Sequence, residues 1–271
     1  MSLRINLNAA ALNAHRQLQG TDSALAASIE RLSSGFRINR AADDPAGLAI
    51  SENLRSQISG LGQAIANSSD AVNMIKTAEG ALAEVQNLLR TMRNLALHAA
   101  NEGANDETAL QADQTQIDSA ISALNRISAN TQFGTKKLLD GTASGLVFQV
   151  GANANQTTTI SIENVSAEAL GVASIDVTTD AQGAISLLDT AINTVSTMRA
   201  QLGAAQKDLE SNIASLGVAK ENIAASESSI RDSDMAAEMV AFTRNQILLQ
   251  AGVAMLTQAN AAPQALLALI R

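Results

Sequence analysis

Apolar residues recur at strict seven-residue intervals in two long stretches of this chain. On the C-terminal side the row comprises Leu188, Val195, Leu202, Leu209, Leu216, Ile223 and Ile230. On the N-terminal side a second row comprises Leu54, Leu61, Ile75, Leu82 and Leu89. A seven-residue repeat places one narrow apolar seam along a helix, and such a seam requires a partner helix. The pattern predicts long paired helices, which are typical of an assembly component rather than an enzyme.

Both ends of the chain carry further helical rows. Residues 3–34 are predicted to form a helix whose apolar row contains Leu18, Leu25 and Leu32. After the sequence RDSD at 231–234, a new row contains Met239, Phe242, Leu249, Val253 and Leu256. The helical spacing of Met235, Met239 and Met255 favours core packing over a ligand groove. Because each row needs a partner, the two ends of the chain are expected to pack together.

Turn and cap residues predict where the helices begin and end. Gly35 can end the first helix in the left-handed conformation, and Asp44 followed by Pro45 is typical of a helix start. Residues 34–44 are therefore predicted to form a non-helical connection. Asp43 and Asp44 could together ligate a metal, but a helix start is the favoured interpretation. Further helices are predicted at about 45–101, 107–129 and 184–230.

The middle of the chain changes from helical to β-rich patterning. The sequences LVFQV (146–150) and TTTISI (157–162) favour two short strands joined by the loop GANANQ. The preceding glycine-rich sequence at 131–145 favours turns, and residues 163–181 match neither pattern. The predicted fold is mainly α: long antiparallel helices, a coiled coil formed by both termini, and a small β-hairpin region at about 142–180.

Composition excludes several classes of function. The 271 residues include no Cys and two His, and 1% are aromatic although 46% are apolar. The formal charge of −8 is unlike the basic footprint of a nucleic-acid-binding protein. Without Cys there is no disulfide or thiol catalysis, and scarce aromatic residues disfavour a small-molecule pocket. The sequence has no metal, nucleotide or catalytic motif, so neither a cofactor nor enzymatic activity is expected.

The C-terminal segment carries no charge between Arg244 and Arg271. Its Gln and Asn residues interrupt the apolar stretch, which favours a protein interface over a membrane span. Left uncovered, such a helix would aggregate, and this predicts a shielding partner before assembly. At the other end, residues 1–19 lack the apolar core and cleavage site of a secretory signal. Any export is therefore expected to use a route without such a signal.

Two polar residues fall on the predicted seam of the long helix that begins near Pro45. Ser68 and Glu79 could mark a buried site. Polar residues at seam positions more often specify the register and partner of a paired helix. We therefore interpret both as register-setting residues.

Four segments resemble the bacterial flagellins, in the same order along the chain. The segment ERLSSGFRINRAADDPAGLAISENLRSQ (30–57) resembles the N-terminal signature of that family. Residues 226–271 resemble its C-terminus down to the final Arg, and the segments 77–101 and 127–141 match between them. Together these motifs span essentially the whole chain and are specific to the family.

The resemblance implies a subunit that self-assembles into the flagellar filament for swimming motility. A terminal coiled-coil core domain would comprise 1–44 with 231–271, and a helical rod domain would comprise 45–230. The chain has no room for the variable outer domains that flagellins often insert, so a short, core-only flagellin is expected. The apolar rows described above would serve as its assembly seams.

The resemblance also implies partners and a location. Flagellins leave the cell through a type III apparatus without a cleaved signal, which implies an extracellular filament. An export chaperone would cover the C-terminal helices, and hook-associated and cap proteins would be further partners. Neither nucleic acid nor membrane insertion is expected.

One segment departs from the family where innate immunity recognises it. The stretch bound by a flagellin-sensing Toll-like receptor reads Gln-Arg-x-Arg-Glu-Leu-Ala in the family. The positions concerned here are Arg90, Thr91, Arg93, Asn94, Leu95 and, on a neighbouring helix, Gln116. Thr91 replaces an Arg, Asn94 replaces a Glu, and Gln116 stands where receptor-active members carry an acid. Because Arg is a typical interface anchor, weak receptor binding is expected.

Two alternatives lie close to the filament subunit. A hook–filament junction protein shares terminal helices with flagellin, although the complete C-terminal signature argues against it. A surface-binding flagellin relative would need an exposed variable domain or an aromatic platform, and the sequence shows neither.

Overall fold

The computed structural model describes residues 8–101, 103 and 105–269, with 262–269 described by their backbone alone. In this part of the chain the helices are α1 (Ala9–Ser34), α2 (Pro45–Ala99), α3 (Glu107–Asn130), α4 (Ala181–Arg231) and α5 (Met235–Leu269). Between α3 and α4 lie two antiparallel hairpins, β1 (Gln132–Phe133) with β2 (Lys136–Lys137) and β3 (Leu146–Gln149) with β4 (Thr157–Ile160). The predicted mainly α fold with a small hairpin region is confirmed.

The chain divides into two compact units. We call Met1–Ser56 with Asn222–Arg271 the terminal unit, and Gln57–Glu221 the rod unit. Both divisions fall inside helices, in α2 and in α4. The domain limits predicted from the sequence, by contrast, coincide with helix ends.

The helix limits lie close to those predicted. The helix predicted at 3–34 is observed as Ala9–Ser34, and residues 3–7 lie outside the described part of the chain. As predicted, α1 ends at Gly35, which has a φ of +78° and donates its N–H to the Arg31 carbonyl. α2 ends at Ala99 rather than 101, and α4 begins at Ala181 rather than 184.

Side-chain caps explain where the helices begin. Asn8 Oδ1 accepts the Ala11 N–H at 3.1 Å, and Asp44 Oδ1 accepts the Gly47 N–H at 2.9 Å. The second contact confirms the predicted start of α2. Equivalent caps precede the remaining helices and are made by Asp106, Asp180 and Asp234.

An apolar core holds the rod unit together, and the two predicted seven-residue rows fill it. α2 and α4 run antiparallel within this unit, because Gln86 contacts Ser196 while Arg93, further along α2, contacts Asp189, earlier in α4. The buried row members are Leu61, Ile75, Leu82, Leu89, Leu188, Val195, Leu202 and Leu209. Two apolar residues of α3, Ile117 and Leu124, complete the same core.

The segment 161–180 is packed into this core without regular structure, although the strand pattern extends to residue 162 and only 163–181 match neither pattern. Val165 and Val172 are fully buried, and the Val165 N–H donates to the Leu139 carbonyl at 3.0 Å. The Gln114 side chain on α3 donates to the Ile175 carbonyl and accepts the Val177 N–H. Side chains therefore satisfy backbone groups that a sheet would otherwise pair.

The hairpins differ from prediction in extent and number. The strands predicted at 146–150 and 157–162 are observed at 146–149 and 157–160. Sequence patterning favours only turns at 131–145, but β1 and β2 form a tight hairpin there around Gly134, whose φ is +61°. Two-residue strands are too short to produce an alternating pattern.

Two side-chain amides anchor the β3–β4 hairpin to the long helices. Asn67 Nδ2 on α2 donates to the Gln149 carbonyl at 3.1 Å, and Asn212 Nδ2 on α4 donates to the Val150 carbonyl at 3.0 Å. Gly60 lies close to Ala152, because a Cβ on Gly60 would be 3.1 Å from the Ala152 Cβ. The hairpin is therefore held against α2 and α4 at its loop end.

We expect Leu89→Ala to lower the free energy of unfolding by about 3 kcal/mol, because Leu89 is fully buried in the rod core. Leu97→Ala on the same helix is the matched control, since the Leu97 side chain is 44% exposed. Urea denaturation followed by circular dichroism measures both. Equal losses in the two variants would contradict this description of the core.

Candidate assembly surface

The terminal unit is a pair of antiparallel helices. At the start of α1, Asn8 Nδ2 donates to the carbonyl of Ala259, near the end of α5, at 2.8 Å. At the opposite end, Arg31 forms an ion pair with Glu238 at 3.7 Å. The predicted packing of the two ends of the chain is confirmed.

The residues between α1 and α5 are spaced alternately three and four apart, as in a coiled coil. On α1 the half-buried row includes Leu18, Leu25 and Leu32, as the sequence predicts. On α5 it includes Phe242, Leu249 and Leu256. The helices approach closely at Gly252, where a Cβ would lie 2.9 Å from Leu18 Cδ1.

Two residues of the predicted C-terminal row lie outside this contact. Met239 and Val253 are each about half exposed rather than packed on α1. Each sits one position away from the face that α5 turns toward α1. Periodicity alone does not separate adjacent positions at the edge of a helical face.

Burial of the predicted rows differs between the units. In the rod unit the members from Leu61 to Leu89 and from Leu188 to Leu209 are buried. The remaining members are only half buried, and they are Leu54, Leu216, Ile223 and Ile230. Among the described side chains of the terminal unit, Ile38 is the only apolar one that is fully buried. This helix pair therefore has very little core of its own.

The surface of α5 is correspondingly apolar. Its exposed large apolar side chains are Met235, Met239, Val240, Ile247, Leu248, Val253 and Met255. Val240 and Ile247 lie seven residues apart on the side of the helix away from α1. So many exposed apolar side chains on one helix are typical of a protein–protein interface.

The predicted core packing of the terminal methionines is wrong for the single chain. Met235, Met239 and Met255 are 46%, 50% and 65% exposed, whereas Met74, Met92 and Met198 of the rod core are at most 3% exposed. The reason is that α5 packs mainly on one helix, α1. Much of the rest of its surface is exposed.

The α1–α2 connection is tied to the α4–α5 junction. Phe36 and Asp232 form an isolated antiparallel bridge, and the Arg37 N–H donates to the Arg231 carbonyl at 2.7 Å. The Arg231 guanidinium lies 4.7 Å from the centre of the Phe36 ring and donates to Glu52 at 2.8 Å. The hydrogen bond from Arg231 lowers the pKa of the Glu52 carboxyl.

Asp43 and Asp44 both serve the backbone, as the helix-start interpretation predicts. Asp43 Oδ2 accepts the N–H groups of Arg40 at 2.9 Å and Asn39 at 3.1 Å, and these bonds lower the pKa of its carboxyl. Asp44 caps α2. Among the described residues, no group of three or more His, Cys, Asp or Glu is placed to hold a metal ion.

The two polar seam residues have different surroundings. Ser68 is fully buried, and its hydroxyl donates to the Ala64 carbonyl of its own helix at 2.8 Å. Glu79 is partly exposed and accepts from Arg199 of α4 at 3.4 Å. Only Glu79 therefore makes a contact that depends on the position of the partner helix.

Some side chains at the candidate receptor positions are exposed, and others are partly buried within the chain. Arg90, Thr91, Asn94 and Gln116 are exposed, whereas Arg93 and Leu95 are partly buried. The Arg93 guanidinium donates to both carboxylate oxygens of Asp189, at 2.5 and 3.3 Å, which raises the pKa of Arg93. Arg93 is thus already held by a partner within the chain.

One further polar pair connects two helices of the rod unit. His98 Nδ1 lies 2.7 Å from Asp113 Oδ2, and this pair links the end of α2 to α3. No helix within the described ranges is long and apolar enough to cross a membrane.

Comparison with known proteins identifies the family. A model of the bacterial flagellin N-terminal helical region matches residues 5–144, and one of the C-terminal helical region matches residues 185–270. The chain belongs to the bacterial flagellin family. As a flagellin it is a structural subunit of the flagellar filament, which serves motility, and it is not an enzyme.

Relatives align along almost the whole chain. A flagellin of Bacillus subtilis (strain 168) is 45% identical over 304 residues, covering 99% of this chain and all of the relative. A flagellin of Halalkalibacterium halodurans is 47% identical over 273 residues, covering 98% and 99%. The crystal structure of Bacillus cereus flagellin is 26% identical with a TM-score of 0.50, covering 56% of this chain and 88% of that one. A short, core-only flagellin is confirmed, and the two alternatives are not favoured.

The Glu52–Arg231 pair makes the stability of this flagellin pH-dependent. Because the folded-state pKa of Glu52 lies below its usual value of 4.5, the pair stabilises the fold above that pH and is lost as pH falls through the lowered value. We expect Glu52→Gln to reduce the melting temperature at pH 7, and we expect this difference from the unmodified chain to shrink as the pH falls below 4.5. Circular dichroism melts across this range test it. A difference that persists unchanged at pH 3 would argue against the pair as its cause.

Proposed function

We propose that the α1–α5 pair is the element through which subunits join to form the filament. The observation that carries this proposal is the imbalance of the terminal unit, which exposes many apolar side chains and buries one, Ile38. Burying apolar surface contributes about 25 cal/mol per Å2, so covering α5 with further copies is strongly favourable. The filament-core domain would comprise 1–44 with 231–271, and the rod domain 45–230.

In this proposal the predicted seams act at two levels. Row members from Leu61 to Leu89 and from Leu188 to Leu209 build the rod within one subunit. Half-buried members, such as Leu216 and Ile223, and half-exposed members, such as Met239 and Val253, retain surface for contacts between subunits. Assembly would therefore complete the packing that a single chain leaves unfinished.

The same exposed surface supports a chaperone before assembly. An isolated subunit that exposes Val240, Ile247 and Leu248 on one helix is prone to aggregation in the cytosol. An export chaperone that covers α5 would prevent this. Family membership supports export without a cleaved signal, an extracellular filament, and hook-associated and cap proteins as further partners.

Weak recognition by the flagellin-sensing Toll-like receptor is also proposed. Thr91 and Asn94 lack the charges of the family motif. Arg93 is the Arg that this chain shares with the receptor-binding motif of the family, and its guanidinium is already paired with Asp189. A receptor would have to break or share that ion pair. Both features reduce the affinity that this helix face can provide.

We expect Val240→Asn with Ile247→Asn to abolish filament growth while leaving the helical content of the subunit unchanged. The reason is that both side chains face away from α1 and contribute little to the folded monomer. Electron microscopy after seeding with short filament fragments measures growth. A chain lacking 231–271 should also fail.

The matched control for assembly is Val218→Asn, at an exposed apolar position of the rod unit. It should grow filaments. Filaments of normal length from the Val240→Asn, Ile247→Asn variant would rule out this face as an assembly surface.

Restoring the motif tests the receptor proposal. We expect Thr91→Arg with Asn94→Glu to raise receptor potency of the monomer by more than about tenfold, equivalent to about 1.4 kcal/mol. A reporter-cell assay measures potency, with Thr77→Arg, an exposed site on the same helix, as the charge control. Full potency of the unmodified chain would refute weak recognition.

A further inference from the structure

The apolar packing of α2 against α4 does not by itself determine which residues lie opposite each other. Apolar residues repeat every seven positions on both helices of the rod unit. Sliding one helix by seven residues, about 10 Å, would replace one apolar side chain by another at every position of this row except that of the buried Ser68. The apolar row alone therefore leaves the register to other contacts, which include the hairpin anchors on Asn67 and Asn212 and the polar contacts between the two helices.

A row of polar side chains, which includes the seam residue Glu79, connects α2 directly to α4. Glu79, Gln86 and Arg93 lie seven residues apart on α2, and each contacts a polar side chain of α4. Arg93 forks onto Asp189, and Gln86 Nε2 donates to Ser196 Oγ at 3.1 Å. Asp189 and Ser196 are themselves seven residues apart.

Arg199 joins two members of this row. One of its terminal nitrogens donates to Gln86 Oε1 at 2.5 Å, and the other donates to Glu79 Oε1 at 3.4 Å. The Arg199 Nε atom is buried and has no hydrogen-bond partner in the described chain. An arrangement that leaves a buried donor unsatisfied is poor for stability, which points to a role in specificity.

We propose that these six residues form a register lock between α2 and α4: Glu79, Gln86 and Arg93 with Asp189, Ser196 and Arg199. The lock sets the relative position of the two helices, and the apolar seam supplies most of the packing. This role is a property of the single subunit and does not depend on how subunits assemble.

The sequence around the lock opposes a slip of seven residues in either direction. In one direction Arg199 would occupy the place facing Arg93, and Glu79 would face Glu210, so like charges would meet twice. In the other direction Arg93 would face Gln182 instead of Asp189. The native register is the one in which Arg93 has a carboxylate partner and these like charges stay apart.

Spin labels can measure the register directly, because the chain has no native Cys. Labels on Thr77→Cys and Thr190→Cys, both exposed, report the axial offset of α2 and α4 by electron–electron resonance. The labelled chain with the native lock residues should give a single distance between the two labels. Arg93→Asp should add a second population displaced by about 10 Å, because the slipped register removes the new carboxylate from Asp189 and brings it to Arg199.

A second, compensating substitution tests whether the Arg93–Asp189 ion pair itself sets the register. Adding Asp189→Arg to Arg93→Asp restores an ion pair at the native register and should return the single native distance. The control is Lys207→Ala, at an exposed residue of α4 that pairs with Glu210 of the same helix. This substitution should leave the distance between the labels unchanged. A folded Arg93→Asp variant with only the native distance would overturn the proposal.

A second variant decides the matter if Arg93→Asp does not fold. The combination Gln86→Leu, Arg93→Leu, Asp189→Ala and Arg199→Leu erases the lock without burying a new charge. We expect it to keep its helical content and to show both registers. A single native distance in this variant would show that the remaining packing sets the register without the lock.

Discussion

The structure depends on the antiparallel contact between α2 and α4. These two helices have 55 and 51 residues, and most of their stability comes from packing their apolar faces together rather than from helix propensity. Their shared apolar face supplies the core on which α3, the irregular segment 161–180 and the hairpins are assembled. Glycines inside α2, such as Gly60 and Gly80, do not interrupt the helix, because tertiary packing outweighs their low helix propensity.

In the terminal unit, by contrast, most apolar side chains are not buried within the single chain. α1 and α5 use the same three-and-four spacing, but a pair of helices can cover only one face of each. The seam is therefore half buried, and apolar side chains remain on the outside of α5. In a flagellin these two arrangements complement each other: the rod unit buries its own apolar core, and the proposed role of the terminal pair is to join the subunits of the filament.

Local chemistry made much of the fold predictable from the sequence. The start of α2 at Asp44 and Pro45 and the end of α1 at Gly35 depend on single residues and their immediate neighbours. Contacts such as Arg93 with Asp189 were not predictable, because the two residues are 96 positions apart and periodicity gives a face but not a partner. The exposure of Met255 was not predicted for the same reason: the spacing of apolar residues along α5 does not show how many helices pack against it. The β1–β2 hairpin was too short to leave a pattern.

The way the β3–β4 hairpin is attached has a consequence for how the molecule can evolve. Asn67 and Asn212 hold it through the main-chain carbonyls of Gln149 and Val150, which every amino acid possesses. The outward side chains of the strands, such as the exposed Val147, can therefore be exchanged without loosening the anchor. Under selection, the exposed side chains of this hairpin can therefore change in sequence, whereas the anchoring residues Asn67 and Asn212 are constrained.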